Sequence, residues 1–392
     1  MAKLIDITGK AISGEWGTDD PDGTGIRVLR TTNFTNDGVV DYNDVVTRKI
    51  AKKNMDSKYL RHGDIIIEKS GGSDKQPVGR VIYFEGPEQT YLFNNFTGLL
   101  RVRDQNTWLP RYVFYSLFSN YLAGGTRAYE NRTTGLHNLQ TDSYISSFEV
   151  RPVSTEKQAE ICSNLDKIIH IISLKKKQIS KMDELVKSRF VEMFGDPVSN
   201  PHGFERVALS QLAEIKIGPF GSLLHKEDYI EGGHPLLNPS HISEGRIVPD
   251  DKLTVSDSKY AEMETYHLHT GDIVMGRRGE MGRCAVVPDE GYLCGTGSLL
   301  IRTKGEVTAD YLQKVISFPT FKKTIEDMAV GQTMPNLNVP IVSSFQIIKP
   351  PIDVQRHYYA FVAEVDKSKL AVKQSLERLE TLKKSLMQQY FG

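Results

Sequence analysis

Cysteine is scarce in this chain of 392 residues, with Cys162, Cys284 and Cys294 the whole complement. No two stand as C-x-x-C and three cannot all pair with one another, which favours a reducing compartment and thiols used as small buried hydrophobes. Neither sign of charge is in excess. The 49 basic residues balance 49 acidic ones, so no global basic field announces nucleic acid and no acidic excess implies disorder. Any anionic partner must be held by local patches. No apolar run is long enough to span a bilayer, and "MAKLIDITGK" lacks the apolar core of a signal peptide. We therefore expect a soluble, cytoplasmic protein with no membrane partner. Gly9-Lys10 stands alone without the rest of a Walker A sequence, and no glycine-rich loop follows a strand as a dinucleotide or S-adenosylmethionine site requires.

What the sequence does have is itself, twice. "LVKSRFVEMFG" closes at Gly195 and "LKKSLMQQYFG" at Gly392, so Leu185, Lys187, Ser188, Phe194 and Gly195 recur as Leu382, Lys384, Ser385, Phe391 and Gly392. "GDIIIEKSGGSDKQPVGRVIYFEG" (63–86) returns as "GDIVMGRRGEMGRCAVVPDEG" (271–291): a Gly-Asp turn, a short apolar β-branched run, a glycine-rich basic loop and a second strand-like run. "GLHNLQTDSYISSFEVRP" (135–152) parallels "TMPNLNVPIVSSFQIIKP" (333–350). The chain is a tandem duplication of a globular segment followed by a distinct closing segment. The globules read as α+β, with strands such as "DIIIE", "RVIYF", "DIVMG" and "CAVVP" ahead of short helices at 109–122 and 309–318. Pro110 and Gly124-Gly125 punctuate the first of these helices.

The closing segments are long helices. In the first, Thr155 serves as N-cap with Gln158 three residues on, just after Pro152. Ile161, Leu165, Ile168, Ile172, Ile179, Met182, Val186 and Met193 then recur in steps of three and four, with Lys175 and Arg189 in the vacant seam positions. The second starts after Pro350-Pro351 near Asp353 and carries Phe361, Val365, Val372, Leu379, Leu382 and Leu386, with Ser368 and Ser375 at weak seam positions. Roughly 40 residues at about 1.5 Å each make a rod of about 60 Å, too long to be one face of a small domain. The economical partner is the other copy, in an antiparallel coiled coil with a globule at each end; the alternative is each helix packed on its own globule. The organisation expected is residues 1–152, globule; 153–196, helix; 197–351, globule; 352–392, helix.

With "VLRTTNF" (28–34), "RTTGLHNLQ", "GQTMPNLN" and "FVEMFGDP" added to the duplicated Gly-Asp segments and the two long helices, the chain resembles the DNA-specificity subunit of type I restriction-modification systems. The resemblance covers nearly the whole length. It implies two target-recognition domains, each reading one half of a split double-stranded DNA site, and because the two halves of the chain differ in sequence that site should be asymmetric. Spacer helices would set the gap and dock two modification (methyltransferase) subunits. S-adenosylmethionine, ATP and magnesium would then belong to those subunits and to a separate restriction (motor) subunit, and this chain would hold no cofactor or metal.

The residue chemistry runs the same way. Asp64, Glu68 and Lys69 imitate a nuclease set, but Glu68 and Lys69 are adjacent and point to opposite faces of a strand, and the duplicate keeps only Asp272, with Gly276 and Arg277 in the other places. A structural Gly-Asp turn is the expected role. "LLNPSHI" lacks the rest of an amino-methyltransferase motif, and His267 with His269 lacks further zinc ligands nearby. Base edges require amide and guanidinium partners. The first half offers Arg30, Thr31, Thr32 and Asn33, then Arg127, Asn131, Arg132, Thr133, His137 and Asn138. The second offers Asn238, Ser240 and His241; Arg277, Arg278 and Arg283; and Gln332, Thr333, Asn336 and Asn338. Arg132, Arg277 and Arg278 are the foremost candidates, since neighbouring glycines let a backbone approach closely. A DNA-modifying enzyme with degenerate motifs and a coiled-coil adaptor for proteins alone are the competing readings.

Overall fold

The computed structural model describes all residues except 52–54, 134–135, 221–222 and 330–335, with 132, 133 and 136 described by backbone alone. The chain is α+β and divides into two compact units, Met1–Lys177 with Lys373–Gly392, and Gln178–Val372.

In the first unit the elements that matter are β1 (Ile12–Ser13), β2 (Ile26–Leu29), β3 (Ile65–Glu68), β4 (Val81–Tyr83), β5 (Tyr91–Phe93), β6 (Thr97–Leu100), α1 (Pro110–Leu122) and the start of α2 (Thr155–Phe194). Strands β1, β6, β3 and β4 form one antiparallel sheet in that order, while β2 pairs in parallel with β5 in another. The run Ile65-Ile66-Ile67 is entirely buried because both faces of its sheet are covered. The pleat sends Ile65 and Ile67 into a core with Tyr112, Val113 and Leu117 of α1, and Ile66 into a second core with Phe84, Phe93 and Leu99. Each such side chain contributes about 1.5–3 kcal/mol of burial.

The second unit repeats this plan with β7 (Ala213–Ile217), β8 (His234–Leu237), β9 (Ile273–Gly276), β10 (Cys284–Val286), β11 (Tyr292–Cys294), β12 (Ser298–Thr303), α3 (Ala309–Ile316) and α4 (Ile352–Phe391), which returns to the first unit beyond Val372. The sheet order β7, β12, β9, β10 matches the first, and β8 pairs in parallel with β11. Ile273 and Met275 enter one core and Val274 another. The three cysteines are free and buried, and burial pushes each thiol up to about 12.

The long helices touch each other within each unit. In the first, Asn164 Nδ2 donates to Tyr390 Oη at 3.5 Å and Lys176 pairs with Glu380 at 3.6 Å. In the second, Tyr358 Oη donates to the Val186 carbonyl at 3.1 Å and Lys369 pairs with Asp183. Residue numbers rise on one helix as they fall on the other, so the pairing is antiparallel, as the seam implies. Among the described residues no helix is long and apolar enough to cross a membrane.

Two local expectations change. Helix α2 begins at Thr155, so Ser154 is the cap residue, its Oγ accepting from Lys157 N at 3.3 Å. Gln158 instead reaches into the globule, accepting from Leu109 N at 2.9 Å and donating to the carbonyls of Thr107 and Val153. Gln355 does the same on α4, accepting from Thr308 N at 2.9 Å and donating to the Pro350 carbonyl at 2.8 Å. A buried amide that fastens each helix to the globule preceding it outcompetes the local capping box. Leu382, expected in the seam, is 46% exposed. Lys383 is turned inward there, its ammonium 5.5 Å from the centre of the Phe118 ring. The covered positions Val372, Leu376, Leu379, Lys383, Met387 and Tyr390 follow the 3.6-residue helical period, from which a strict seven-residue stripe drifts by about 20° per heptad.

Candidate nucleic-acid interface

The duplicated Gly-Asp turn is structural in both copies. Asp64 accepts from Arg61 N at 2.8 Å and takes Arg101 bidentately at 2.8 and 2.7 Å. Asp272 accepts from His269 N at 2.7 Å and takes Arg302 at 2.8 and 2.7 Å. Both carboxylates are committed within the fold. Glu68 turns inward to Arg80 and Lys69 outward to Ser13, on opposite faces as the strand period requires. His267 stacks on Tyr260, ring centroids 3.8 Å apart, and His269 pairs with Glu290.

Beyond these turns, two groups of polar candidates, Arg30 to Asn33 and Asn238 to His241, stand where β2 and β8 end. Each strand runs into a single 3₁₀ turn, Thr31–Asn33 and Pro239–His241. Beside it lies the turn joining β5 to β6 in one globule and β11 to β12 in the other. Asn94 N donates to the Leu29 carbonyl at 3.0 Å, and Gly295 N to the Leu237 carbonyl at 3.0 Å. A third strand arrives through Lys69, whose N–H donates to the Phe96 carbonyl at 2.8 Å, and through Arg277, whose N–H donates to the Gly297 carbonyl at 3.0 Å. The Lys69 and Arg277 carbonyls accept in turn from Leu139 and Leu337. One end of each globule is therefore built from the 3₁₀ turn, the neighbouring β-turn and a Lys or Arg strand end, in equivalent positions.

The individual candidates differ in what they have left to offer. Asn33 is 2% exposed and spends its side chain on Arg30 N and on the carbonyls of Asp41 and Asp44. His241 is likewise buried, its Nδ1 accepting from Asn238 N at 3.2 Å. Arg30 pairs with Asp44 at 2.8 Å, while Thr31 is half-buried and Thr32 exposed. Arg127 is exposed and donates to the Asp74 carbonyl at 3.3 Å; His137 is buried against Glu130. Asn131, exposed, stands opposite Asn138 in a strand pair that also carries Arg132 and Thr133 in its backbone.

In the second globule Arg277 is half-buried with its Nε donating to the Leu337 carbonyl at 3.1 Å; burial first, and Arg278 beside it second, pull its pKa down. Arg278 is exposed and makes no side-chain hydrogen bond or ion pair among the described residues. Ser240 is exposed on a cavity of about 350 Å³ lined also by Glu280, Arg283 and Lys322. Asn336 is half-buried, its buried Oδ1 without a hydrogen-bond partner among the described residues, and Asn338 caps the helix Val339–Ser343 through Ile341 N. Gln332 and Thr333 lie outside the described residues.

Sequence reasoning missed three residues at these ends. Phe96 is 52% exposed at the tip of the β5–β6 turn, with exposed Asn95 beside it. Its counterpart is Gly297, where a Cβ would stand 3.0 Å from Pro239. Lys69 occupies the place of Arg277. Arg80 occupies that of Arg283, and the shared Gly-Arg before each second strand was the signal that marks it.

A family model described as "Type I restriction modification DNA specificity domain" matches residues 3–183 and again 201–383. A chain of a type I R-M system, solved for the structural basis of its complex assembly and conformational transition, is 14% identical with a TM-score of 0.62; the match covers 100% of this chain and 96% of that one. The crystal structure of the type I restriction-modification S subunit from M. genitalium is 15% identical with a TM-score of 0.56, over 100% of this chain and 95% of that one. The double match accounts for the duplication of the fold, and the chain belongs to the family of type I restriction-modification DNA specificity subunits, which are non-catalytic.

Proposed function

We propose that residues 1–152 and 197–351 are two target-recognition domains, each reading one half of an asymmetric bipartite site in double-stranded DNA, and that the helices 153–196 and 352–392 set the gap. The observation that carries this reading is that the same three-part end recurs on each globule with different side chains: Arg30, Lys69 and Phe96 on one, Asn238, Arg277 and Gly297 on the other. Equal scaffolds with unequal surfaces suit two different DNA words. Arg278, Ser240, Thr32, Asn131 and Phe96 are the side chains most available to bases; Arg30, Thr31, Arg127, Arg132, Thr133, His137, Asn238, Arg277, Gln332, Thr333 and Asn336 remain in the candidate set, and Asn33 and His241 shape the turns.

The helices also dock two methyltransferase subunits. The repeated exposed leucines, Leu185 and Leu382 at 50% and 46% exposure, present the same Leu-x-Lys-Ser surface twice, which suits two copies of one partner. S-adenosylmethionine acts on those subunits, ATP and magnesium on a restriction subunit, and the whole works in the cytoplasm, where free thiols persist. Sequencing of methylated bases in host DNA tests the proposal. A split, asymmetric motif that disappears when this chain is deleted is the expected result; a contiguous or palindromic motif overturns it.

A further inference from the structure

We infer that Arg80 and Arg283 are positioning residues, one in each globule, that hold the DNA-reading turn in shape from behind; the inference rests on the DNA-reading function proposed above. Arg80 donates from Nη1 to the Phe34 carbonyl at 2.9 Å and from Nη2 to the Thr31 carbonyl at 2.9 Å, so one guanidinium grips both ends of the 3₁₀ turn. Its charge is balanced by Glu68, 3.3 Å from Nη2, and its Cζ lies 5.7 Å from the Phe34 ring centre. The side chain is 15% exposed.

Arg283 repeats the contact from the equivalent strand. Its Nη1 donates to the carbonyl of Pro239, the first residue of the second 3₁₀ turn, at 3.2 Å. The balancing carboxylate differs. Position 276, the counterpart of Glu68, is glycine, and Glu280 from the adjoining loop takes its place, accepting from Arg283 at 3.1 and 2.7 Å and pairing with Lys322 at 2.8 Å. The same guanidinium contact thus persists while its counter-charge has moved to another part of the chain. Such persistence marks the arginine's contact with the turn, rather than the ion pair, as the feature both globules need. A planar guanidinium fixes the directions of its five donors, so it can meet a turn carbonyl and a carboxylate together in one set geometry, whereas the three donors of a lysine ammonium rotate on a flexible stem.

A 3₁₀ turn of three residues has poor internal hydrogen-bond geometry. Tying its carbonyls to the sheet fixes the orientation of Arg30, Thr31 and Thr32, or of Asn238 and Ser240, before DNA arrives. Arg283 stood among the candidate base readers; on this reading it acts through the turn and touches no base.

The test uses the full chain assembled with its methyltransferase partner, with binding preference at each position of both half-sites measured by selection from random DNA. Arg283→Met is the first variant, since Glu280 keeps Lys322 and its solvent. Preference should relax by about tenfold, the order expected from one charge-assisted hydrogen bond, at two or more positions of the half-site read by residues 197–351 and nowhere else. The slope of affinity against salt should not change, because no phosphate contact is lost. Arg283→Lys should not restore the preference. Arg80→Met combined with Glu68→Gln, which leaves no orphaned buried charge, should do the same to the other half-site. Loss of preference at a single base, a slope reduced by about one, or unaltered preference at both halves would each overturn the inference. A wild-type complex that selects no sequence would instead remove the DNA-reading proposal beneath it.

Discussion

Phe194, the last residue of α2, meets Tyr311 of α3 edge-on, with ring centroids 5.0 Å apart at 62°. Phe391, the last residue of α4, meets Tyr112 of α1 with centroids 5.3 Å apart. The repeated Phe-Gly ending is thus a repeated lock: each helix leaves one globule and ends in the core of the other compact unit. Phe194 is fully buried among Phe190, Tyr311 and Tyr358, whereas Phe391 is half-buried. Phe194→Ala should therefore cost about 3–5 kcal/mol and Phe391→Ala distinctly less. Urea denaturation of the two variants checks the order, and equal losses would contradict it.

The Gly-Asp turns bear on whether this chain could ever have been a nuclease. Asp272 is buried and satisfied by Arg302 and a backbone N–H, as Asp64 is by Arg101 and its own. Asn at either position should lower stability by about 2–4 kcal/mol, below the full cost of breaking a buried pair because Arg302 and Arg101 keep solvent contact. The methylated motif should be unchanged. A variant of normal melting temperature that alters the motif would show that these carboxylates face DNA.

Glu280 supplies a pH signature. Hydrogen bonds from Lys322 and then Arg283 hold its carboxyl down to about 2. A lowered folded-state pKa gives stabilisation that is complete above the ordinary glutamate value, about 4.3, and lost as pH falls towards about 2. The melting-temperature deficit of Glu280→Gln should hold steady from about pH 7 to about pH 5 and shrink below about pH 4. A deficit that instead vanished on going from about pH 7 to pH 5 would show that the pairing does not protect the carboxylate.

Phe96 separates folding from reading. Because the side chain is 52% exposed, Phe96→Ala should leave stability within about 0.5 kcal/mol. Binding to the half-site of residues 1–152 should weaken, since an apolar group at a base edge recognises a thymine methyl. Equal binding of wild type and variant to that half-site removes Phe96 from the interface.

Much of this architecture is legible in the sequence. The duplication, the Gly-Asp turns and the stripes on the long helices are local or periodic patterns, and Ile65 to Ile67 reads as a strand because strand chemistry is local. The roles of single polar residues are not, because their partners are distant in sequence. Arg283 sits in a glycine-rich loop that looks open, yet the carbonyl it grips belongs to Pro239, forty-four residues earlier. Asn33 looks like an adenine reader and is consumed by carbonyls eight and eleven residues on. Leu382 follows a heptad that the buried face of α4 does not keep.

The paired helices, as proposed, measure the gap between the half-sites. By the register of the Asn164–Tyr390 and Lys176–Glu380 pairs, Lys177 lies close to opposite Glu377. Four residues inserted after each lengthen both helices by about 6 Å at matched points. With the chain assembled on its methyltransferase partner, the methylated motif should keep both half-sites and acquire a longer gap between them. An unchanged gap, with both half-sites still methylated, would contradict the account.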